Sequence, residues 1–516
     1  MASTGILSLK NDTLFELFAL VAATDPPHAL PWGDPGPLKY HIGWVRLSHV
    51  CRLWRKLLVD EMPSLWARIA CRLPRALDTV LSRAQDQPLI LTTDITWGSS
   101  LRLPPKHDLH DRLYELCITH ITRAGNLDAQ NVSMDWVGPL SGKYLPLLKK
   151  IDAYHLRPWG DQTPTASLFP LDAPNLKSVR LRDIAVTFTS QSIRELTLNG
   201  REIFSHEQWS LIDVLGSLRT SLEFLELEMR PPKAINWRAQ ATAPFTLERL
   251  KHIHLYGSGN ANLTELVTLL GVTVPLEDHN YYAHLEPEGW ERFVYGFGPI
   301  LRQPSFNALH LTDDGRVFAS TFVAIENPEH YPSSASQEAS LEVEYAGDGA
   351  RAKAITTGLL KHLEHPCIEQ IIFATDAPDE RLGDIRDALR PFEAVTSFAA
   401  LSHHSLKVLR AGDDDHGPIL PSLSLLVASM EEKYGDDKWD AESLKAWWDM
   451  LCDILEDRVR AGLTAPRIRL CSNATPIAVT EALKGVDEEG LARLKELVPG
   501  LEDTRKIFEA AKKESP

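Results

Sequence analysis

A short apolar unit of the form L-x-x-L-x-L recurs along most of this chain and limits the folds open to it. It occurs as Leu148-x-x-Ile151-x-Ala153, Leu176-x-x-Val179-x-Leu181, Ile193-x-x-Leu196-x-Leu198 and Leu222-x-x-Leu225-x-Leu227. It continues as Leu250-x-x-Ile253-x-Leu255 and Phe306-x-x-Leu309-x-Leu311. Weaker copies are Ile368-x-x-Ile371-x-Phe373, Leu406-Lys407-Val408-Leu409 and Ile468-x-Leu470. In the L-x-L part both apolar side chains face one side of a short strand, and the leading residue closes the turn before it. One unit cannot bury that face alone, so neighbours must stack strand on strand into a curved parallel sheet.

The spacing is irregular. First positions at 148, 176, 222, 250 and 306 lie 28, 46, 28 and 56 residues apart, and the copy at 193 comes 17 after 176. Two intervals sit at the upper end of the roughly 20–29-residue period of leucine-rich repeats, and one is twice that period. Helix-like segments fill the intervals: Ile203 to Ser217, Asn262 to Leu270 with Asn260 or Asn262 as N-cap, Arg351 to Leu363, and Asp379 to Leu389. Before the array, Arg75 to Ala84 reads as a helix and Pro88 to Ile95 as a strand. The expected class is therefore α/β: a leucine-rich-repeat-like solenoid over 73–430, with a parallel sheet on one face and helices on the other. Unrelated α/β strands that happen to carry L-x-L pieces are the alternative.

The C-terminal portion, 431–516, changes character. An acidic break at Glu431 to Asp440 precedes a long helix, Glu442 to Arg460, with Leu444, Trp447, Trp448, Leu451 and Leu455 on one face. A strand at Arg467 to Cys471 and a charged tail helix from Glu488 to Lys513 follow. This region is expected to cap the array, with the tryptophan pair sealing its open end.

The N-terminal 72 residues carry a different pattern. From Trp44 to Leu58 apolar residues fall at 47, 50, 51, 54, 57 and 58, the recurrence of one amphipathic helix. Arg46, Arg52, Arg55 and Lys56 lie mostly off that face. Pro63 should end the helix, with Leu65 and Trp66 as a further anchor. Upstream, Leu9 to Leu20 reads as a helix with Asn11 or Asp12 as N-cap and Leu14, Leu17, Phe18 and Val21 as its stripe. The Pro- and Gly-rich stretch Thr24 to Gly43 reads as a loop inserted between these halves.

Taken together, the two halves and the Met62-Pro63-Ser64-Leu65-Trp66 coda resemble an F-box, and the inserted form resembles the large F-box families of mushroom-forming fungi. Lys10 stands where that family usually has proline and Asp12 where it usually has glutamate. The resemblance implies docking to a Skp-family adaptor and, through it, a cullin. It places the adaptor-binding residues at Leu9, Leu14, Leu17, Phe18, Leu47, Val50, Cys51, Trp54, Leu57, Pro63, Leu65 and Trp66. A helix with an aromatic and a basic face is also an ordinary core helix with a solvated outer side.

Composition narrows the functional classes. The chain has 54 basic and 70 acidic residues, a net charge of −16, which argues against a general nucleic-acid or anionic-membrane binder. No apolar run of membrane-spanning length occurs, and Met1 to Leu9 carries no signal-peptide pattern. Six scattered cysteines without a C-x-x-C pair suit a reducing cytoplasmic or nuclear compartment. Gly257-Ser258-Gly259-Asn260-Ala261-Asn262 meets neither nucleotide fingerprint. His362/His365, His403-His404, His252/His254 and Asp413-Asp414-Asp415-His416 are incomplete as metal sets. The expectation is a non-catalytic chain without cofactor: a substrate receptor of a Skp–cullin–F-box ubiquitin ligase, its target protein held by the repeat array. The alternatives are an interaction scaffold without a ligase role, and a repeat protein whose N-terminal helices are only a cap.

Overall fold

The computed structural model describes residues 9–29, 40–93, 108–129, 136–154, 168–200, 203–205, 209–231, 233–240, 243–258, 261–271, 278–285, 306–313, 317–323, 339–346, 368–375, 389–410, 419–429, 440–471, 477–479, 481–498, 500–505 and 507–509, with short stretches inside 296–301 and 383–387. The fold is mixed α/β, and the chain forms two compact units, Met1–Lys251 and His252–Pro516. The division falls inside the stretch read from sequence as one array.

The first unit opens with a helical module. It comprises α1 (Asn11–Thr24), a 3-10 helix (Gly43–His49), α2 (Arg52–Lys56), a π-helical turn (Leu57–Glu61), α3 (Pro63–Ala67) and α4 (Leu77–Ala84). Three local expectations are corrected here. Asn11 is the first helical residue; Lys10 occupies the cap position in extended conformation, without a side-chain cap bond. The segment from Trp44 to Leu58 is not one helix. Cys51 is extended (φ −154°, ψ 170°), and its sulfur takes the Trp54 N–H, so a new helix starts there. Pro63 does not simply end a helix but stands in the first turn of α3, where its missing N–H costs nothing.

The inserted loop is closed at its base by a two-residue antiparallel ladder, β1 (His28–Ala29) with β2 (Tyr40–His41). Gly43 follows at φ +53°, and a Cβ there would strike the backbone of Asp25, Pro26 and Pro27. That position needs glycine on both counts.

The sheet of this unit is wholly parallel. Its strands are β3 (Leu89–Thr92), β4 (Ala124–Ala129), β5 (Lys150–Tyr154), β7 (Ser178–Arg182), β9 (Glu195–Gly200) and β10 (Phe224–Met229), paired in that order. A side pair, β6 (Phe169–Leu171) with β8 (Val186–Phe188), is also parallel. The recurring motif explains the register. Leu91, Leu127, Ile151, Val179, Leu196 and Leu225 are successive Cα partners, as are Ala129 and Ala153, then Leu181, Leu198 and Leu227 along the next row. Every one of these side chains is at most 1% exposed, and so are the leading residues Leu148, Leu176, Ile193 and Leu222. The motif is thus a strand with a buried hinge before it. Trp209 and a short helix, Leu211–Ser217 capped by Ser210, pack between β9 and β10 in sequence, shorter than the expected helix over 203–217.

In the second unit the strands are β11 (His252–Gly257), β12 (Asp278–Leu285), β13 (Ala308–Asp313), β14 (Val317–Val323), β15 (Ala339–Ala346), β16 (Gln370–Thr375), β17 (Ser397–Ala400), β18 (Leu425–Ser429), β19 (Arg467–Cys471) and β21 (Leu501–Asp503). Pairing is parallel except that β14 runs antiparallel between β13 and β15. The weak copy at Leu406–Leu409 is corrected: Ser402 caps a helix over His403–Lys407, while the neighbouring strands are β17 and β18. Leu263–Leu270 is helical as expected, but Asn262 is left-handed and gives no cap bond to the backbone; its amide reaches Glu265 instead. The helix expected over Arg351 to Leu363 lies outside the described residues.

The long helix forms over Ala441–Arg460, capped by Asp440. It does not end the sheet, because β18 pairs with β19 and β19 with β21 beyond it. Trp447 and Trp448 are both buried; Trp448 lies against Gly490 of the next helix, Glu481–Leu497, and Trp447 packs edge to face on Trp448. Trp448 donates to Asp487, which with Asp503 holds the buried guanidinium of Arg505. The expected tail helix over Glu488 to Lys513 is cut short at Leu497, giving way to β21 and to β22 (Ile507–Glu509), which pairs with β20 (Ile477–Val479).

Candidate functional site

The helical module is organised by two aromatic pairs. Phe18 of α1 meets Trp54 of α2 edge to face at 5.1 Å, and Trp44 meets Trp66 of α3 in the same way at 5.0 Å. The Trp66 indole N–H donates to the Leu58 carbonyl at 2.6 Å, and the Arg83 guanidinium lies 4.4 Å above its ring. The two halves of the sequence motif are therefore packed together around a shared aromatic core.

The twelve residues singled out from sequence divide by burial. Leu14, Phe18, Trp54, Leu57, Leu65 and Trp66 are buried inside the module. Leu17, Leu47, Cys51 and Pro63 are half-buried. Leu9 and Val50 are exposed, Val50 at 59%. The break at Cys51 explains the last placement: it turns Val50 away from the phase that buries Trp54, Leu57 and Leu58. The structure also adds residues the helical spacing passed over. Trp44 is almost wholly buried, and Leu20, Ile42 and Leu53 are exposed. The signal for Trp44 was its three-residue spacing from Leu47, the period of a 3-10 helix.

Eight large apolar side chains stand exposed among the described residues, and five belong to this module: Leu9, Leu20, Ile42, Val50 and Leu53. Their concentration on one short helical module makes it the candidate contact surface of the described residues. Beside it lie exposed basic residues, Arg46 held by Asp25 at 2.9 Å and Lys56 near Glu61 at 3.5 Å. Arg55 reaches back to the Ser48 carbonyl and ties the 3-10 helix to α2.

A second surface is the outer face of the first unit's sheet. Alternation places Lys150, Asp152 and Tyr154 beside Ser178, Arg180 and Arg182, then Glu195, Thr197 and Asn199, then Phe224, Glu226 and Glu228. Ser178 donates to Glu195, Thr197 to Glu226 and Asn199 to Glu228, while Arg180 pairs with Asp152 and Arg230 with Glu228. The face is a polar grid in which the strand carrying Arg180 and Arg182 lies between Asp152 on one neighbour and Glu195 on the other, with Glu226 and Glu228 one strand further on.

Among the described residues no group of three or more His, Cys, Asp or Glu side chains is placed to hold a metal ion. Also among them, no helix is long and apolar enough to cross a membrane. No family model matches the chain, and comparison with curated proteins finds none similar in sequence. His362 and His365 lie outside the described residues, as does the Asp413–His416 cluster.

Proposed function

We propose that the chain is an adaptor-docking, substrate-receptor subunit of a Skp–cullin–F-box ubiquitin ligase. The observation that carries this reading is the concentration of exposed apolar side chains on the N-terminal helical module, whose sequence resembles an F-box. An F-box protein is a tether. It supplies no catalytic group, and it raises the effective concentration of a target near the ubiquitin-charged enzyme.

In this reading the buried residues Leu14, Phe18, Trp54, Leu57, Leu65 and Trp66 shape the docking surface from beneath, and Leu9, Val50 and Leu53 touch the adaptor. The leucine-rich-repeat-like sheet then presents its polar face to a target protein. Standard interfaces bury about 1,600 Å² and concentrate their energy in a few central apolar residues.

The test is a pull-down of the full chain with a purified Skp-family adaptor, beside Val50→Asp and Leu53→Asp. Both substitutions sit at exposed positions and leave the fold intact, as circular dichroism would confirm. The expected result is adaptor capture by the native chain and its loss in both variants. Capture that survives both charges, or no capture by the native chain, overturns the reading. Adaptor capture without cullin recruitment would make the chain a scaffold outside the ligase.

A further inference from the structure

The inserted loop of the N-terminal module is clasped by two histidines whose surroundings resemble those of metal ligands. His28 and His41 are direct partners in the β1–β2 ladder, so their side chains leave the same face of it. Their ring centres are 5.0 Å apart, with the planes inclined by 41°. Two imidazoles bound through Nε2 to one tetrahedral zinc, at Zn–N distances of about 2.0–2.1 Å, stand with their ring centres roughly 5 Å apart.

Both rings turn Nδ1 toward the protein. His28 Nδ1 lies 3.0 Å from the Pro26 carbonyl, an atom that can only accept, so the proton sits on Nδ1 and the lone pair on Nε2. His41 Nδ1 faces the Asp25 carboxylate at 3.5 Å, beyond a well-formed hydrogen bond. Carboxylates and backbone carbonyls on Nδ1 are the outer-shell partners that orient histidines for metal through Nε2. Among the described residues, the contacts of these two histidines run through Nδ1 and through the tilted approach of the two rings. Asp25 is itself fixed by Arg46, and its carbonyl accepts from Trp44 N–H.

We propose that His28 and His41 form a two-imidazole site for a divalent late transition-metal ion, which locks the base of the inserted loop, with water completing the coordination. Imidazole nitrogens favour zinc, copper and nickel over magnesium or calcium. The consequence is local: a bound ion fixes the end of α1 to the start of the 3-10 helix that carries Trp44.

The experiment uses the full chain and zinc as the probe. Diethyl pyrocarbonate modifies imidazole nitrogen that carries a free lone pair, and peptide mass spectrometry reads the extent at each histidine. With zinc present, modification of His28 and His41 should fall together by at least tenfold, at one common midpoint, while exposed His49 reacts as before. In His41→Gln, a substitution at a partly exposed position, zinc should no longer protect His28. Unchanged reactivity of His28 and His41 with zinc in the native chain overturns the proposal. Continued protection of His28 in His41→Gln does so as well.

Discussion

Trp54 and Phe18 meet edge to face with ring centres 5.1 Å apart, and this contact joins the two sequence halves of the N-terminal module. The indole N–H of Trp54 is buried without a hydrogen-bond partner. Its contribution is therefore one of packing, and the N–H detracts from it.

That relationship separates two substitutions. Trp54→Ala should cost about 3–5 kcal/mol by removing a large buried ring. Trp54→Phe keeps a ring against Phe18 and deletes the unsatisfied donor, so it should fall within about 1.5 kcal/mol of the native chain. Urea unfolding followed by tryptophan fluorescence or circular dichroism measures both. Equal losses would show that the indole makes a bond the structure does not contain.

His310 on β13 gives the pH dependence. Burial pushes its imidazole down to about 4 from an ordinary value near 6.5. Its Nε2 is sealed from solvent although the residue as a whole is partly exposed. The folded state holds the neutral ring, so unfolding takes up a proton below the ordinary value. The stabilisation is complete above about pH 6.5 and is lost as pH falls toward 4, on the order of 3 kcal/mol in all. The stability difference between the native chain and His310→Gln should therefore shrink across that window and stay flat above it. A difference independent of pH would contradict the assignment.

Gly490 lies on the helix Glu481–Leu497, directly under the Trp448 ring, and a Cβ there would fall inside the indole. Helix propensity alone predicts that Gly490→Ala stabilises by about 1 kcal/mol. Overpacking a buried aromatic costs about 1–3 kcal/mol and should win. The expected outcome is a lower melting temperature. Gly485→Ala, on the same helix with open space around it, should raise it.

Arg458 is 1% exposed and donates to the carbonyls of Ile419 at 2.8 Å and Leu420 at 2.9 Å. Leu420 is left-handed (φ 53°), a conformation that costs a branched side chain about 1–2 kcal/mol and needs support. Arg458→Lys replaces a planar fork with a single ammonium and cannot serve both carbonyls in the same geometry. It should cost about 1–3 kcal/mol in urea unfolding. A neutral result would mean that the two carbonyls find water.

Sequence legibility followed periodicity. The strands from Lys150 to Met229 were readable because each buries one face, so alternation marks them, and the leading leucine marks where each begins. Ser397–Ala400 and Leu425–Ser429 were missed because nearly every residue in them is buried, which erases the alternation. Leu406 and Leu409 misled because apolar residues three apart fit a helical turn as well as a repeat, and the Ser402 cap decided for the helix. In the candidate site the buried aromatics were visible, but of the exposed set only Leu9 and Val50 were, while Leu20, Ile42 and Leu53 were passed over. Which residues face outward depended on the backbone break at Cys51, a sulfur–amide contact with no sequence pattern.

By itself the sequence determined that leucines two apart must share a face, that units carrying them must stack in parallel, and that two amphipathic halves flank a Pro- and Gly-rich loop. These follow from side-chain geometry within a few residues. Only the tertiary structure decided that β14 runs against its neighbours, that Trp44 pairs with Trp66, and that His28 and His41 stand side by side at the base of the loop. Those facts join residues distant along the chain, and their energies come from contacts that exist only once the chain has closed on itself.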